Sequence, residues 1–420
     1  MDYVFDSSLG NKNDTSWAVI SLLLFLVYPF VGVCMALYLM PCSKHRMFFS
    51  LLVGIFGGLL GYTYLPSDVM DITRHFITFK LLLNVNTWSD FLLFESIAQK
   101  SDGFFDFFYW NIGHFSDNHQ WVGFLSGFLF YFFSVSVLLI WHDIIHTSRN
   151  EFLFLCGVFL ALSCVYTLNG IRNGNAVALF LYIVSLQIKG YRPKRLWWFV
   201  LPCLMHFSMY PLVALYLFAV KCRLRTAKKI ALVLILLFPF FQAIAVFFAE
   251  FLGLFGGILA NVGGKIERYL NGEEGTGALL YTGSSLRFYV TCVLTVLVLG
   301  LFPLFNSIYK RLTSGQQLFF RFSVLFYGYM GLSITTYVFS RNVLVLSYLL
   351  ILWLSLLYKS KAISYRFRML VYGTLMLVFF SGLPSFITAK EYRVLNPKLF
   401  TSNIVALFSE RTQIKGYRYE

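Results

Sequence analysis

The sequence predicts an all-α polytopic integral membrane protein, and three observations carry that reading. Of its 420 residues, 58% are hydrophobic, 20% aromatic and 13% charged, a composition too apolar for a polar surface to enclose. The apolar residues fall in runs of roughly 20, the length of helix that crosses about 30 Å of hydrocarbon. Those runs are continuous rather than alternating, which indicates helices and not a barrel.

Spans are expected at 17–40, 47–64, 121–141, 152–168, 173–188, 230–248, 288–305, 318–338, 343–358 and 369–383. The first is expected to be retained, because Asp2, Asp6 and Asp14 against a single Lys12 lack the basic start of a cleaved signal. Lysine and arginine in short loops set the orientation. The loops 41–46, 142–151, 189–195, 221–229, 306–317 and 359–368 hold 18 of the 34 basic residues and, as acids, only Asp143 and Glu151. They are therefore expected in the cytoplasm, with the N-terminus outside.

The apolar segment 196–220 has basic clusters at both ends, so one crossing would turn every later basic loop outward. It must return to the side it left. Met209-Tyr210-Pro211 lies midway, and proline disfavours helical geometry in the residue before it, so a break is expected there. The segment reads as two thin helices, Gly190 to Phe207 and Met209 to Arg225, or as a re-entrant hairpin. The total comes to about 12 transmembrane helices in a single domain over 1–420, with an outer C-terminal tail from about 386. Outer loops are expected at about 65–120 and 250–287. The aromatic run Phe104 to Trp110 in the first suits helices lying in the membrane interface.

The seven cysteines show no CxxC pair and fall in spans or beside them, so they read as core residues, not disulfides or metal ligands. A net charge of +15 without any soluble basic domain excludes nucleic acid as a partner.

Arg172 lies between two spans at the expected outer edge. It suits an anion clamp, since guanidinium offers a planar fork of donors matched to phosphate oxygens; it also suits a helix-end arginine reaching the interface. Arg341, in Phe339-Ser340-Arg341-Asn342, is expected on a second tight outer turn, and two such arginines suit a pyrophosphate. His206 is an ionisable group at bilayer depth, where such residues usually face a cavity or a partner; a neutral histidine bonded to a neighbouring carbonyl is the alternative. Asp68 to His75 follows the second span. Asp71 and His75 are four apart and share a helical face; Asp71 could orient His75, act as a base itself, or simply cap the next helix. Arg74 lies among them. Tyr269, with Asp68, is a weaker candidate for touching a sugar.

Gly170-Ile171-Arg172 with Ala176, then a basic loop, then Leu204-Met205-His206-Phe207-Ser208, resembles the central block of the EpsG-like, Wzy-type polysaccharide polymerases. Asp71-Ile72-Thr73-Arg74-His75 resembles their early outer-loop motif and Ser340-Arg341-Asn342 a later arginine motif. Phe207-Ser208-Met209-Tyr210 departs from the small residues more usual after the histidine. The resemblance implies a GT-C-like membrane glycosyltransferase in the bacterial inner membrane, with both termini outside. It would polymerise undecaprenyl-diphosphate-linked oligosaccharide repeat units by inverting transfer, without metal or cofactor. Arg172, Arg341 and Arg74 would bind the pyrophosphate, and His206, Asp71 or His75 would serve as base, with His206 first. The partners implied are lipid-linked donor and acceptor, the bilayer, and a chain-length regulator if one binds. An O-antigen ligase shares this chemistry. A flippase is the competing class, against which stands the lack of two related halves.

Overall fold

The structure is a computed structural model and describes residues 14–65, 71–98, 103–163, 170–190, 193–271, 309–333, 337–359, 365–366, 368–376 and 396–412. Among these, every regular element is helical. In chain order they include α1 (Asp14–Val27), α2 (Pro29–Leu39), α3 (Arg46–Tyr62), α4 (Asp71–Leu82), α5 (Trp88–Ala98), α6 (Phe104–Gly113), α7 (Gln120–Ile145), α8 (Arg149–Ser163) and α9 (Ile171–Gly190). There follow α10 (Val200–Met205), α11 (Met209–Lys221), α12 (Leu224–Leu236), α13 (Phe241–Gly253), α14 (Gly257–Asn271), α15 (Ser314–Leu332), α16 (Tyr337–Lys359) and α17 (Ile404–Ser409). Of these, α7 and α9 are each long and apolar enough to cross a bilayer, and seven shorter apolar helices run between 10 and 17 residues. The chain divides into two compact units, 1–85 with 106–182 and 384–420, and 86–105 with 183–383.

In the first unit the run expected as one span over 17–40 is instead a helical hairpin. Pro29 opens α2, and Tyr28 before it is extended (φ −138°, ψ 90°), because the proline ring disfavours helical geometry there. The chain turns so sharply that a Cβ on Gly32 would lie 2.4 Å from the Phe25 Cα. The open ends are tied together: Ser43 Oγ donates to Asp14 Oδ1 at 2.7 Å and the Lys44 N–H to Asp14 Oδ2 at 3.0 Å.

α3 and α7 pack antiparallel along a seam of glycines. A Cβ on Gly61 would sit 1.9 Å from the Gly123 carbonyl oxygen, and one on Gly127 2.0 Å from that of Gly57. Small residues let backbones approach where lipid offers no hydrophobic drive to associate. One end of the pair is closed by the Arg46–Asp143 ion pair at 2.5 Å, and Arg46 also donates to the carbonyls of Pro41 and Ser43. At the other end Gln120 Nε2 donates to the Tyr62 carbonyl at 2.8 Å. The C-terminal segment docks at this second end: Phe408 stacks on Trp121 at 5.5 Å and accepts at its carbonyl from Tyr62 Oη, and the Thr412 N–H donates to Gln120 Oε1. Asp14 and Thr412 therefore lie at opposite ends of the α3–α7 pair. The Tyr28–Pro29 turn is the cause.

In the second unit the break expected near Met209-Tyr210-Pro211, between helices ending at Phe207 and starting at Met209, falls at 206–208. α10 ends at Met205, His206 is extended (φ −158°, ψ 131°), and Met209 opens α11. Pro211 is the third residue of α11, a place where its missing N–H has no intrahelical partner to lose. Pro239 divides the run expected at 230–248 into α12 and α13, with a short 3-10 turn Phe238–Phe240 between them. α15 begins at a capping box, Thr313 with Gln316. It packs on α12 where Gly328 meets Ala231. α15 ends at Leu332 and α16 starts at Tyr337, so Phe339-Ser340-Arg341-Asn342 lies inside a helix and not on a turn. Those four residues include no glycine or proline to stop one.

Candidate functional site

α4 opens on Asp71, and its four-residue spacing to His75 puts both on one face as expected. His75 is buried, whereas the Asp71 side chain keeps 29% of its surface exposed; His75 Nε2 and Asp71 Oδ2 are 3.6 Å apart. Asp71 Oδ2 also accepts the Gly170 N–H at 3.2 Å. Gly170 has φ +79°, a left-handed conformation that glycine adopts without strain. Its carbonyl accepts the Gly174 N–H at 2.8 Å, so Gly170 is the turn that launches α9, with Arg172 the second residue of that helix. One hydrogen bond thus joins two motifs that are 99 residues apart.

A further side chain enters from α6. Tyr109 is completely buried, and its hydroxyl oxygen lies 3.1 Å from His75 Nδ1, with the two rings edge to face at 5.7 Å. Burial first, then the Asp106 charge, pushes the Tyr109 hydroxyl well above its ordinary range; Arg172 pulls the other way and Asp71 adds to the rise. The phenol therefore keeps its proton, and the charges of Asp106, Arg172 and Asp71 all bear on it. Asp106 is 3% exposed. The cluster at this end of the first unit is Asp71 and His75 from α4, Asp106 and Tyr109 from α6, and Arg172 from α9.

Behind Arg172, α9 is fixed to α7: Asn175 Nδ2 donates to Ser126 Oγ and to the Ile171 carbonyl, each at 3.0 Å. Its Oδ1 is buried without a hydrogen-bond partner. Sequence reasoning missed Tyr109, Asp106 and Asn175. The signal for the first two was present: Asp106 and Tyr109 are three apart on one face of the aromatic run, and that face is the buried one.

The other expected site residues lie as follows. Arg74 is exposed on α4. Asp68 lies outside the described residues. His206 belongs to the second unit and is 5% exposed. Its Nδ1 accepts the Ser208 backbone N–H at 3.2 Å and lies 2.7 Å from Ser208 Oγ, and the ring stacks on Phe207. Its Nδ1 thus serves the turn between α10 and α11, through a hydroxyl and a backbone N–H and not a carbonyl. Arg341 is the fifth residue of α16 and Tyr269 lies on α14, both in the second unit; the side chains of both fall outside the described residues. Among the described residues, no three His, Cys, Asp or Glu side chains are grouped as a metal ion would require.

A model of the EpsG family matches residues 46–396. The chain belongs to the EpsG family. The match takes in the Asp71–His75, Gly170–Arg172, His206 and Arg341 segments and both compact units; it begins at Arg46, where α3 starts, and so leaves out the α1–α2 hairpin. No curated protein and no solved structure matches the chain. Family membership together with the apolar helices makes this a membrane protein of polysaccharide-polymerase type, active in exopolysaccharide biosynthesis.

Proposed function

We propose that the chain polymerises lipid-linked oligosaccharide repeat units at the outer face of the bacterial inner membrane, with the α4–α6–α9 cluster as its catalytic end. The donor is a growing glycan on undecaprenyl diphosphate and the acceptor a second lipid-linked unit. The acceptor hydroxyl oxygen attacks the donor's anomeric carbon from the face opposite the leaving group, the anomeric carbon–phosphate oxygen bond breaks, and undecaprenyl diphosphate departs. The hydroxyl proton passes to Asp71. Arg172 holds the departing diphosphate, where fixed positive charge at a developing anion is usually the largest catalytic contribution. Its place in the first turn of α9 adds the positive end of the helix dipole.

The observation that carries this reading is the hydrogen bond from the Gly170 N–H to Asp71. It holds a carboxylate and the arginine-bearing helix start together at one end of the first unit. In an inverting transfer the base and the anion clamp flank the anomeric carbon on opposite faces, so both must reach one bound donor.

The test is polymer formation by purified, reconstituted protein from lipid-linked repeats. Arg172→Ala is expected to lower turnover about 100-fold or more, and Arg172→Lys to recover little of it, since an ammonium replaces charge but not the planar fork. Wild-type polymer yield from a folded Arg172→Ala protein would end the clamp assignment. His206→Ala and Arg341→Ala in the same assay test the roles that the motifs imply for those two residues.

A further inference from the structure

The cluster contains a chain of three side chains, Asp71, His75 and Tyr109, of which only one is open to a substrate. Tyr109 is 0% and His75 6% exposed, whereas the Asp71 side chain is 29% exposed. A sugar hydroxyl can reach the carboxylate, but His75 Nδ1 is covered by the Tyr109 hydroxyl at 3.1 Å.

The contacts favour one direction for this chain. An ionised carboxylate can only accept, and His75 Nε2 faces Asp71 Oδ2 at 3.6 Å, beyond hydrogen-bond reach; the tautomer with the proton on Nε2 is the one that suits this contact. In a neutral imidazole Nδ1 then has a lone pair and no hydrogen, and the Tyr109 O–H donates to it. Oδ2 of Asp71 accepts the Gly170 N–H at 3.2 Å and lies 3.6 Å from His75 Nε2. Asp106 on α6, Asp71 on α4 and Arg172 on α9 are the charged groups that bear on the phenol.

We propose that Tyr109 is a positioning residue of the transfer reaction: by donating to His75 Nδ1 it fixes the histidine tautomer and ring orientation that aim Nε2–H at Asp71. The proposal rests on the reading of Asp71 as base. Tyr109 does not touch substrate, and its effect passes through His75. The arrangement explains why a tyrosine and an aspartate in an otherwise aromatic segment turn inward, and it makes the α6 segment part of the reaction rather than an interfacial anchor alone.

Tyr109→Phe removes one hydroxyl and keeps the ring that packs edge-on against His75. In the reconstituted assay it is expected to lower turnover about tenfold while leaving KM for the lipid-linked donor unchanged. On a His75→Gln background the same substitution should cost less than about twofold, because the interaction it removes is already absent. A Tyr109→Phe protein with wild-type turnover, or one whose loss is undiminished on the His75→Gln background, would overturn the proposal. So would nitrogen chemical shifts of His75 in the unaltered protein showing the proton on Nδ1 rather than Nε2, a measurement that needs no variant to fold. If Asp71→Asn and Arg172→Ala also kept full activity, the reading of the site itself would fall. If those two were inactive and Tyr109→Phe unimpaired, only the role of Tyr109 would.

Discussion

His119 stands just before α7 with its ring edge-on to Phe76 at 4.7 Å and its Nε2 3.1 Å from the Thr412 hydroxyl. Burial, reinforced by the Lys80 charge, lowers its pKa from 6.5 to about 4. The folded protein holds it neutral while an unfolded chain takes up a proton near 6.5. Lowering the pH from about 6.5 toward 4 therefore favours the unfolded form, and above that window His119 contributes no pH dependence. Thermal midpoints in detergent are expected to fall across that interval in the wild type and to fall less in His119→Gln, which cannot be charged. Equal slopes would show that other groups carry the acid sensitivity. The sequence marks histidines as residue types able to hold or move protons, but the partners that decide their roles lie far away or in the local turn. His75 meets Tyr109 from a helix 34 residues on, His119 meets a residue 293 away, and His206 Nδ1 meets Ser208, two residues on. Arg172, Asp71 and His75 were legible because motif spacing survives in a single sequence. Tyr109 and Asp106 were passed over although their three-residue spacing puts them on one helical face, because composition marked their segment as interfacial.

At the scale of elements, prolines and glycines did more to set the architecture than hydropathy could reveal. Hydropathy sees 17–40 as one run, since its mean does not register a reversal of direction. Pro29 was visible in the sequence, but a proline in a membrane helix is often tolerated as a kink. What turns a kink into a hairpin is Gly32 meeting Phe25, together with Asp14 accepting from Ser43 and Lys44. Each arm of α1 and α2 is about 21 Å or less at 1.5 Å per residue, short of the hydrocarbon thickness. The hairpin carries a sidedness prediction. In protein freed of native cysteines, Ser16→Cys and Lys44→Cys, both exposed positions, should react with an impermeant thiol reagent from the same side of sealed vesicles. Ser409→Cys, beside the Phe408–Trp121 stack at the other end of the α3–α7 pair, should react from the opposite side. Labelling of positions 16 and 409 from one common side would restore the single crossing.

At the scale of the whole molecule, composition and charge determine the class, and the family match over 46–396 agrees with motifs read from residues alone. Fold class was legible because burial in lipid leaves a backbone few options, and every regular element among the described residues is helical. Helix boundaries were less so: Pro211 and Pro239 each admit either a helix start or a break, and neighbouring packing chooses. The charge distribution makes the last prediction. Lys189, Arg192, Lys194 and Arg195 before the 196–220 segment, and Lys221, Arg223, Arg225, Lys228 and Lys229 after it, form two of the densest basic clusters in the chain. Basic residues in short loops resist translocation, so the apolar segment between them is expected to leave and re-enter the same compartment. The break at His206 to Ser208, between α10 and α11, gives it a place to turn. Cysteines at 192 and 223 should therefore both be labelled from the cytoplasmic side and be silent to an impermeant reagent added to intact cells with permeable outer layers. Outer reactivity at either one alone would make 196–220 a single crossing, and at 223 it would also reverse the sidedness of every loop that follows, with the basic residues of 359–368 then facing outward.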